Sequence, residues 1–165
     1  MKDLNQMLEG MAADLATRLK QENIDNPLMI GIHTGGAWVA KGLHKALGLN
    51  SPLATLNISF YRDDFTRIGM HPQVNPSSLP ESVENRNIIL VDDVLYTGRT
   101  IRAALNEIFD YGRPKSVILA TLVDRGGREL PIQADIIGEH IELSPGQQVK
   151  LSGPDPLTLS IVDPS

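Results

Sequence analysis

Cysteine is absent from the 165 residues, so disulfides, thiolate metal sites and thiol nucleophiles are excluded. A reducing, cytoplasmic setting agrees with that absence. No long apolar run occurs, least of all at the N-terminus, where "MKDLNQMLEGMAADLATRLK" carries Leu4, Leu8, Met11, Leu15 and Leu19 at helical spacing. That pattern predicts an amphipathic helix rather than a signal peptide or membrane span. Positive charge is also not in excess: the formal net charge is −5, which argues against a general nucleic-acid binder, because phosphate contacts supply most non-specific affinity. Neither GxxxxGK[ST] nor GxGxxG is present, so the two common nucleotide-binding loops do not apply. Internal repeats and low-complexity tracts are missing as well.

What remains is a chain with 41% apolar residues, enough for one compact domain spanning residues 1–165 with a real core. After the first helix, "LMIGIH" (Leu28 to His33) reads as a strand, a Gly-containing turn follows, and "AWVAKGLHKAL" (Ala37 to Leu47) resumes helical spacing. "LATLNISFY" (Leu53 to Tyr61) reads as a second strand, and the segment that follows it has little periodicity. The next units are a strand "IILV", an acidic turn, a helix "RTIRAALNEIFDY" with Ile101, Ala104, Leu105, Ile108 and Phe109 on one face, and a strand "SVILATLV". This β-loop-α-β order predicts an α/β fold with a parallel sheet. The C-terminal quarter reads as loops and short strands. Trp38 is expected to be a packing residue, and His44 and His71 ordinary loop or surface histidines.

The chemistry concentrates in "IILVDDVLYTGRT", Ile88 to Thr100. Ligands of open α/β sheets bind at the carboxyl ends of the strands, which is where Asp92 and Asp93 fall. Backbone N–H groups from Thr97 to Thr100, at the start of a helix, suit an anion, and Gly98 lets the backbone come close. A carboxylate pair repels a phosphate, so the two acids must face something attached to it, either hydroxyl donors or a divalent cation. A ribose 5-phosphate meets both requirements. The competing reading is that two aspartates only punctuate a strand end.

The same 13 residues resemble the phosphoribosyl pyrophosphate (PRPP) signature of the type I phosphoribosyltransferases. "ISFYRDD", "YGRP" and "LVDRGGRELPIQADIIG" are further similar to the branch that joins uracil phosphoribosyltransferase activity to pyrimidine (pyr) operon regulation. The resemblance implies a central parallel sheet flanked by helices with a small hood, Mg²⁺ accompanying PRPP, and a homo-oligomer. It implies that Asp92 and Asp93 are the catalytic pair and that Asp92, Asp93, Val94, Leu95, Tyr96, Thr97, Gly98, Arg99 and Thr100 bind PRPP. "HTGG", His33, Thr34, Gly35 and Gly36, becomes the pyrophosphate loop. His33 and Gly35 stand where relatives often carry a basic residue and an arginine, so this loop offers less fixed positive charge. A Gly-rich βα connection without a ligand is the alternative.

By the same resemblance, Asp124 meets the Mg²⁺–pyrophosphate group through water, with Arg125 and Arg128 beside it in the base region. A plain ion pair of Asp124 with Arg125 or Arg128 is the other possibility. Residues 62–85 resemble a flexible loop that covers PRPP, rooted at Arg62, Asp63 and Asp64, although a solvated charged turn explains those three equally well. The implied reaction joins uracil to PRPP, giving uridine monophosphate (UMP) and pyrophosphate. The second implication is a regulator that senses uridine nucleotides and binds pyr leader RNA. Gln133 and Glu139 occupy places where RNA-binding relatives are commonly basic, and Glu9 with Ala13 on the first helix weakens that reading further.

Overall fold

The computed structural model describes residues 1–58 and 77–165. Helix α1 (Leu4–Gln21) is followed by strand β1 (Leu28–Ile32), helix α2 (Gly35–Leu47) and the short strand β2 (Ala54–Leu56). Beyond residue 76 come β3 (Asn87–Leu95), α3 (Arg99–Phe109), β4 (Ser116–Asp124) and β5 (Ile136–His140), then a hairpin of β6 (Gln148–Ser152) and β7 (Thr158–Val162). Five strands form a parallel sheet in the order β2-β1-β3-β4-β5. None of the helices among the described residues is long and apolar enough to cross a membrane.

Alternating side chains put each strand's residues on two apolar faces, as expected when a parallel sheet is covered on both sides. Met29, Ile89, Val91, Ile118, Ala120 and Leu122 pack with Met7, Met11, Leu15 and Leu19 of α1 and with Val39, Ala40 and Leu43 of α2. Ile30, Ile88, Leu90 and Leu119 face the other way, toward Ile101, Ala104 and Ile108 of α3. The predicted stripe of α1 is present, with Met7 buried and Leu4 and Leu8 only partly so. Phe109 departs from its predicted place: it is 54% exposed, because it closes the last turn of α3 beyond the sheet while Ile108 takes the inward position. The hairpin contributes Leu151 to the first core, with Val149, Leu157 and Leu159 packed against it.

Because α2 and α3 cover opposite faces, the connections out of β1 and β3 diverge, and the gap between these neighbouring strands is a topological switch point. Close approach of α2 to β1 depends on Gly31. A Cβ there would lie 2.8 Å from Ala37 Cα, 2.8 Å from Ala40 Cβ and 3.0 Å from Gly36 O. Gly31→Ala is therefore expected to cost about 1–3 kcal/mol by overpacking, a fall of roughly 3–10 °C in melting temperature. An unchanged melting curve would show that the helix can retreat freely.

Candidate active site

Strand β3 runs further than its apolar run suggests, continuing through both acids to Leu95. Its pairing with β1 stops at Gly31↔Val91, whereas pairing with β4 persists to Leu95↔Asp124. The acids thus stand where the β1 side of the ladder has ended, at the edge of the crevice. Asp92 is 6% exposed, with Oδ1 accepting the Asp93 N–H at 2.9 Å. Asp93 is half-buried, and its Oδ1 accepts the Val94 N–H at 2.8 Å.

The loop after β1 fills the vacated ladder position and touches both acids. A Cβ on Gly35 would lie 2.2 Å from Asp93 Oδ2, and one on Gly36 would lie 2.7 Å from Val91 O and 2.9 Å from Asp92 Cα. These contacts bring the "HTGG" loop and the acidic turn into a single cleft. The His33–Thr34 peptide there is cis. Burial lowers the His33 pKa below its ordinary value, which disfavours a positive charge on this loop.

The turn after β3 is shaped by what lies behind it. Gly98 caps α3 with φ +95°, and a Cβ there would meet Ile132 at 3.0 Å. Both observations favour glycine. Thr97 Oγ1 accepts the Arg99 N–H at 3.2 Å, while Thr97 O accepts from Glu129 N at 2.9 Å and Leu130 N at 3.1 Å. Arg99 is turned outward to Glu129, 2.8 Å away, in an exposed pair of small energetic value. Tyr96 is 47% exposed, and the Arg125 guanidinium sits over its ring, 3.9 Å from the centroid. Leu95 and Val94 are different: Leu95 belongs to the second core and Val94 packs against the first, so they shape the strand without facing the cleft.

Asp124 ends β4, next to β3, and is 4% exposed. Its Oδ1 accepts the Gly126 N–H at 2.9 Å and its Oδ2 accepts Arg128 Nη2 at 2.5 Å. The ion pair weighed from the sequence is therefore present, with Arg128 rather than Arg125 as the partner. Burial alone would raise the carboxyl pKa, but the Arg128 hydrogen bond, the Gly126 N–H and the charges of Arg128 and His140 outweigh it and hold the value below the usual range. A depressed folded value means that the stabilisation is present above the unfolded pKa of roughly 3.9 and is lost as pH falls through the lower folded value. Asp124→Asn is expected to cost about 1–3 kcal/mol near neutrality and to flatten the acid side of the stability curve. Urea unfolding midpoints between about pH 5 and pH 2 test this; parallel curves for the two proteins would rule it out.

Glu129 and Ile132 were not singled out from the sequence, and nothing in their spacing could have marked them, since their partners Arg99 and Gly98 lie 30 or more residues away in sequence. Arg62, Asp63, Asp64 and His71, with the rest of residues 62–76, lie outside the described residues. The end of that expected loop is anchored: Val83 is buried, with its N–H donated to Tyr111 O at 3.0 Å, and Ser78 bridges to Thr55.

Comparison with known proteins agrees with this geometry. Residues 3–150 match the phosphoribosyl transferase domain family. The bifunctional protein PyrR of Nitrosococcus oceani is 61% identical over 167 residues, covering 99% of this chain and 94% of that protein. The bifunctional protein PyrR of Pseudomonas aeruginosa is 54% identical over 154 residues, covering 93% and 91%. Among solved structures, the hypoxanthine phosphoribosyltransferase of Trypanosoma cruzi superposes with a TM-score of 0.69 at 19% identity, covering 98% of this chain and 93% of that one. A hypoxanthine-guanine phosphoribosyltransferase of Bacillus anthracis gives 0.67 at 17% identity, covering 86% and 80%; likeness at this level concerns the fold. The strand order, the cleft at the switch point and these matches together assign the chain to the phosphoribosyl transferase family, among the bifunctional PyrR proteins.

Proposed function

We infer that the protein is a uracil phosphoribosyltransferase that also regulates pyrimidine biosynthesis genes. The observation that carries the catalytic half is the single cleft in which Asp92 and Asp93 meet the Gly35–Gly36 loop, with the Gly98 turn following the same strand. In this reading the Thr97–Thr100 turn takes the 5-phosphate, the two acids take the ribose hydroxyls, and the residues from His33 to Gly36 take the pyrophosphate. Uracil N1 replaces pyrophosphate at C1 through an oxocarbenium-like transition state. Such a step needs orientation and charge stabilisation more than an activated nucleophile.

Mg²⁺ fits the donor set in one specific way. No three or more His, Asp or Glu side chains converge as a metal cage among the described residues; an ion held by substrate oxygens and one or two carboxylates needs no such cage. Asp124, with an N–H on one carboxylate oxygen and Arg128 on the other, would reach it through water, leaving Asp92 and Asp93 to the ribose hydroxyls. When bound, the ion neutralises charge on the departing pyrophosphate. The experiment is to incubate the protein with PRPP, Mg²⁺ and labelled uracil and to follow UMP. Absence of product across a broad pH range would overturn the assignment.

Regulation through pyr leader RNA is the second half of the reading, with uridine nucleotides as the sensed ligands. Its charge is sparse. Arg128 and Arg125 are engaged inside the fold, and Glu139 accepts the Lys2 N–H at 2.7 Å. Salt-sensitive retention of leader RNA at nanomolar protein concentration supports it, and salt-insensitive or absent retention counts against it. A cytoplasmic homo-oligomer belongs to the same reading, tested by sedimentation.

A further inference from the structure

Arg128 spends all three of its guanidinium nitrogens inside the fold, on three different stretches of chain. Nε donates to Ile132 O at 2.7 Å, Nη1 to Tyr96 O at 2.8 Å and Nη2 to Asp124 Oδ2 at 2.5 Å. A simple ion pair with Asp124 would need only one of these. Tyr96 opens the phosphate turn, Asp124 ends the neighbouring strand, and Ile132 backs Gly98 at the start of α3. The side chain therefore sits at the junction of the segment 125–132 with the turn 95–98. Main-chain bonds reinforce the two ends of this junction: Arg125 N to Leu95 O at 3.1 Å, and Glu129 N and Leu130 N to Thr97 O. Between them, at the left-handed glycines Gly126 and Gly127, φ +74° and +78°, the backbone has the freedom glycine confers. Arg128 closes that stretch against both strands.

We propose that Arg128 is a positioning residue that fixes the 125–128 loop to the phosphate turn, so that a nucleotide meets the base side and the phosphate side of its site at one set separation. This rests on the transferase reading above, and it concerns the relation between the two halves rather than either half alone. A planar fork with donors at fixed angles is suited to the task, whereas an ammonium group can satisfy only part of it. Joining two subsites rigidly raises the effective concentration at which the second half of a ligand meets its site. A ligand that spans both halves gains from the join; a ligand confined to one half does not.

That asymmetry gives a readout that general loosening of the fold would not produce. Calorimetric titrations of the wild-type protein, Arg128→Gln and Arg128→Lys with UMP and, separately, with ribose 5-phosphate measure it. UMP affinity is expected to fall by about tenfold or more in Arg128→Gln while ribose 5-phosphate affinity changes by less than about threefold, with Arg128→Lys between. Equal weakening for the two ligands, or an unchanged UMP affinity, would overturn the proposal and leave the transferase reading intact. If Arg128→Gln does not fold, Arg128→Lys, which keeps a cation beside Asp124, carries the comparison. A wild-type protein that binds neither ligand overturns the transferase reading, and the proposal with it.

Discussion

Asp93→Asn should reduce UMP formation by roughly 10²–10³-fold while leaving the melting temperature almost unchanged. In the proposed site the Asp93 carboxylate accepts hydrogen bonds from ribose hydroxyls, and a bond to a charged group is worth about 1.5–3 kcal/mol. Two such bonds, less what an amide oxygen retains, correspond to two or three powers of ten at about 1.4 kcal/mol each. Stability should hardly respond, because Asp93 is half-buried and the Val94 N–H that it accepts can be taken by the amide oxygen of asparagine. Asp92 differs: it is 6% exposed, its Oδ1 holds the Asp93 N–H, and Gly36 lies against it. Asp92→Asn should therefore lower both activity and stability. Steady-state kinetics beside thermal melts separate the two acids, and full activity in Asp93→Asn would remove the ribose role from this residue.

Gly36→Ala should damage the fold and the chemistry together. The added methyl would meet Val91 O at 2.7 Å and Asp92 Cα at 2.9 Å, both backbone atoms of β3 that cannot rotate away. Relief requires the N-terminus of α2 to withdraw from β3, which costs about 1–3 kcal/mol and opens the cleft between the Gly35–Gly36 segment and the acids. A displacement approaching 1 Å at reacting groups is worth on the order of 10²-fold in rate. Gly35 provides the contrast, since its nearest obstacles are Asp93 Oδ2 at 2.2 Å and Asp93 Cγ at 2.7 Å, the end of a side chain that can swing aside. Gly35→Ala should thus keep its melting temperature and lose activity through Asp93 alone. If Gly36→Ala were as stable as Gly35→Ala, the tight seat of α2 on β3 would be wrong.

Much of the site was legible before the fold. "IILVDDVLYTGRT" and "HTGG" are local patterns, and local patterns survive folding because strand, turn and helix start are decided within a few residues. That the two belong to one site was implied by the family resemblance, and parallel strands ending on one side are the physical reason that they meet. Less legible was the extent of β3, which continues through both acids because its β4 partner continues; a charged pair inside a strand looks like a strand's end until the neighbouring ladder is known. Phe109 was misplaced for a similar reason: helical periodicity names a face but not where along the helix the sheet stops.

Composition and spacing by themselves determined the class of fold and, Phe109 apart, the apolar stripes of α1 and α3, because these depend on chemistry repeated at short intervals. Only the tertiary structure decided that Asp124 pairs with Arg128 rather than Arg125, that Gly35 and Gly36 are held to their size by Asp93 and the β3 backbone, and that Ile132 stands behind Gly98. The last two are contacts between residues 30 or more positions apart in sequence, set by strand order and by how closely helices seat on the sheet. No local pattern encodes such a distance; packing does.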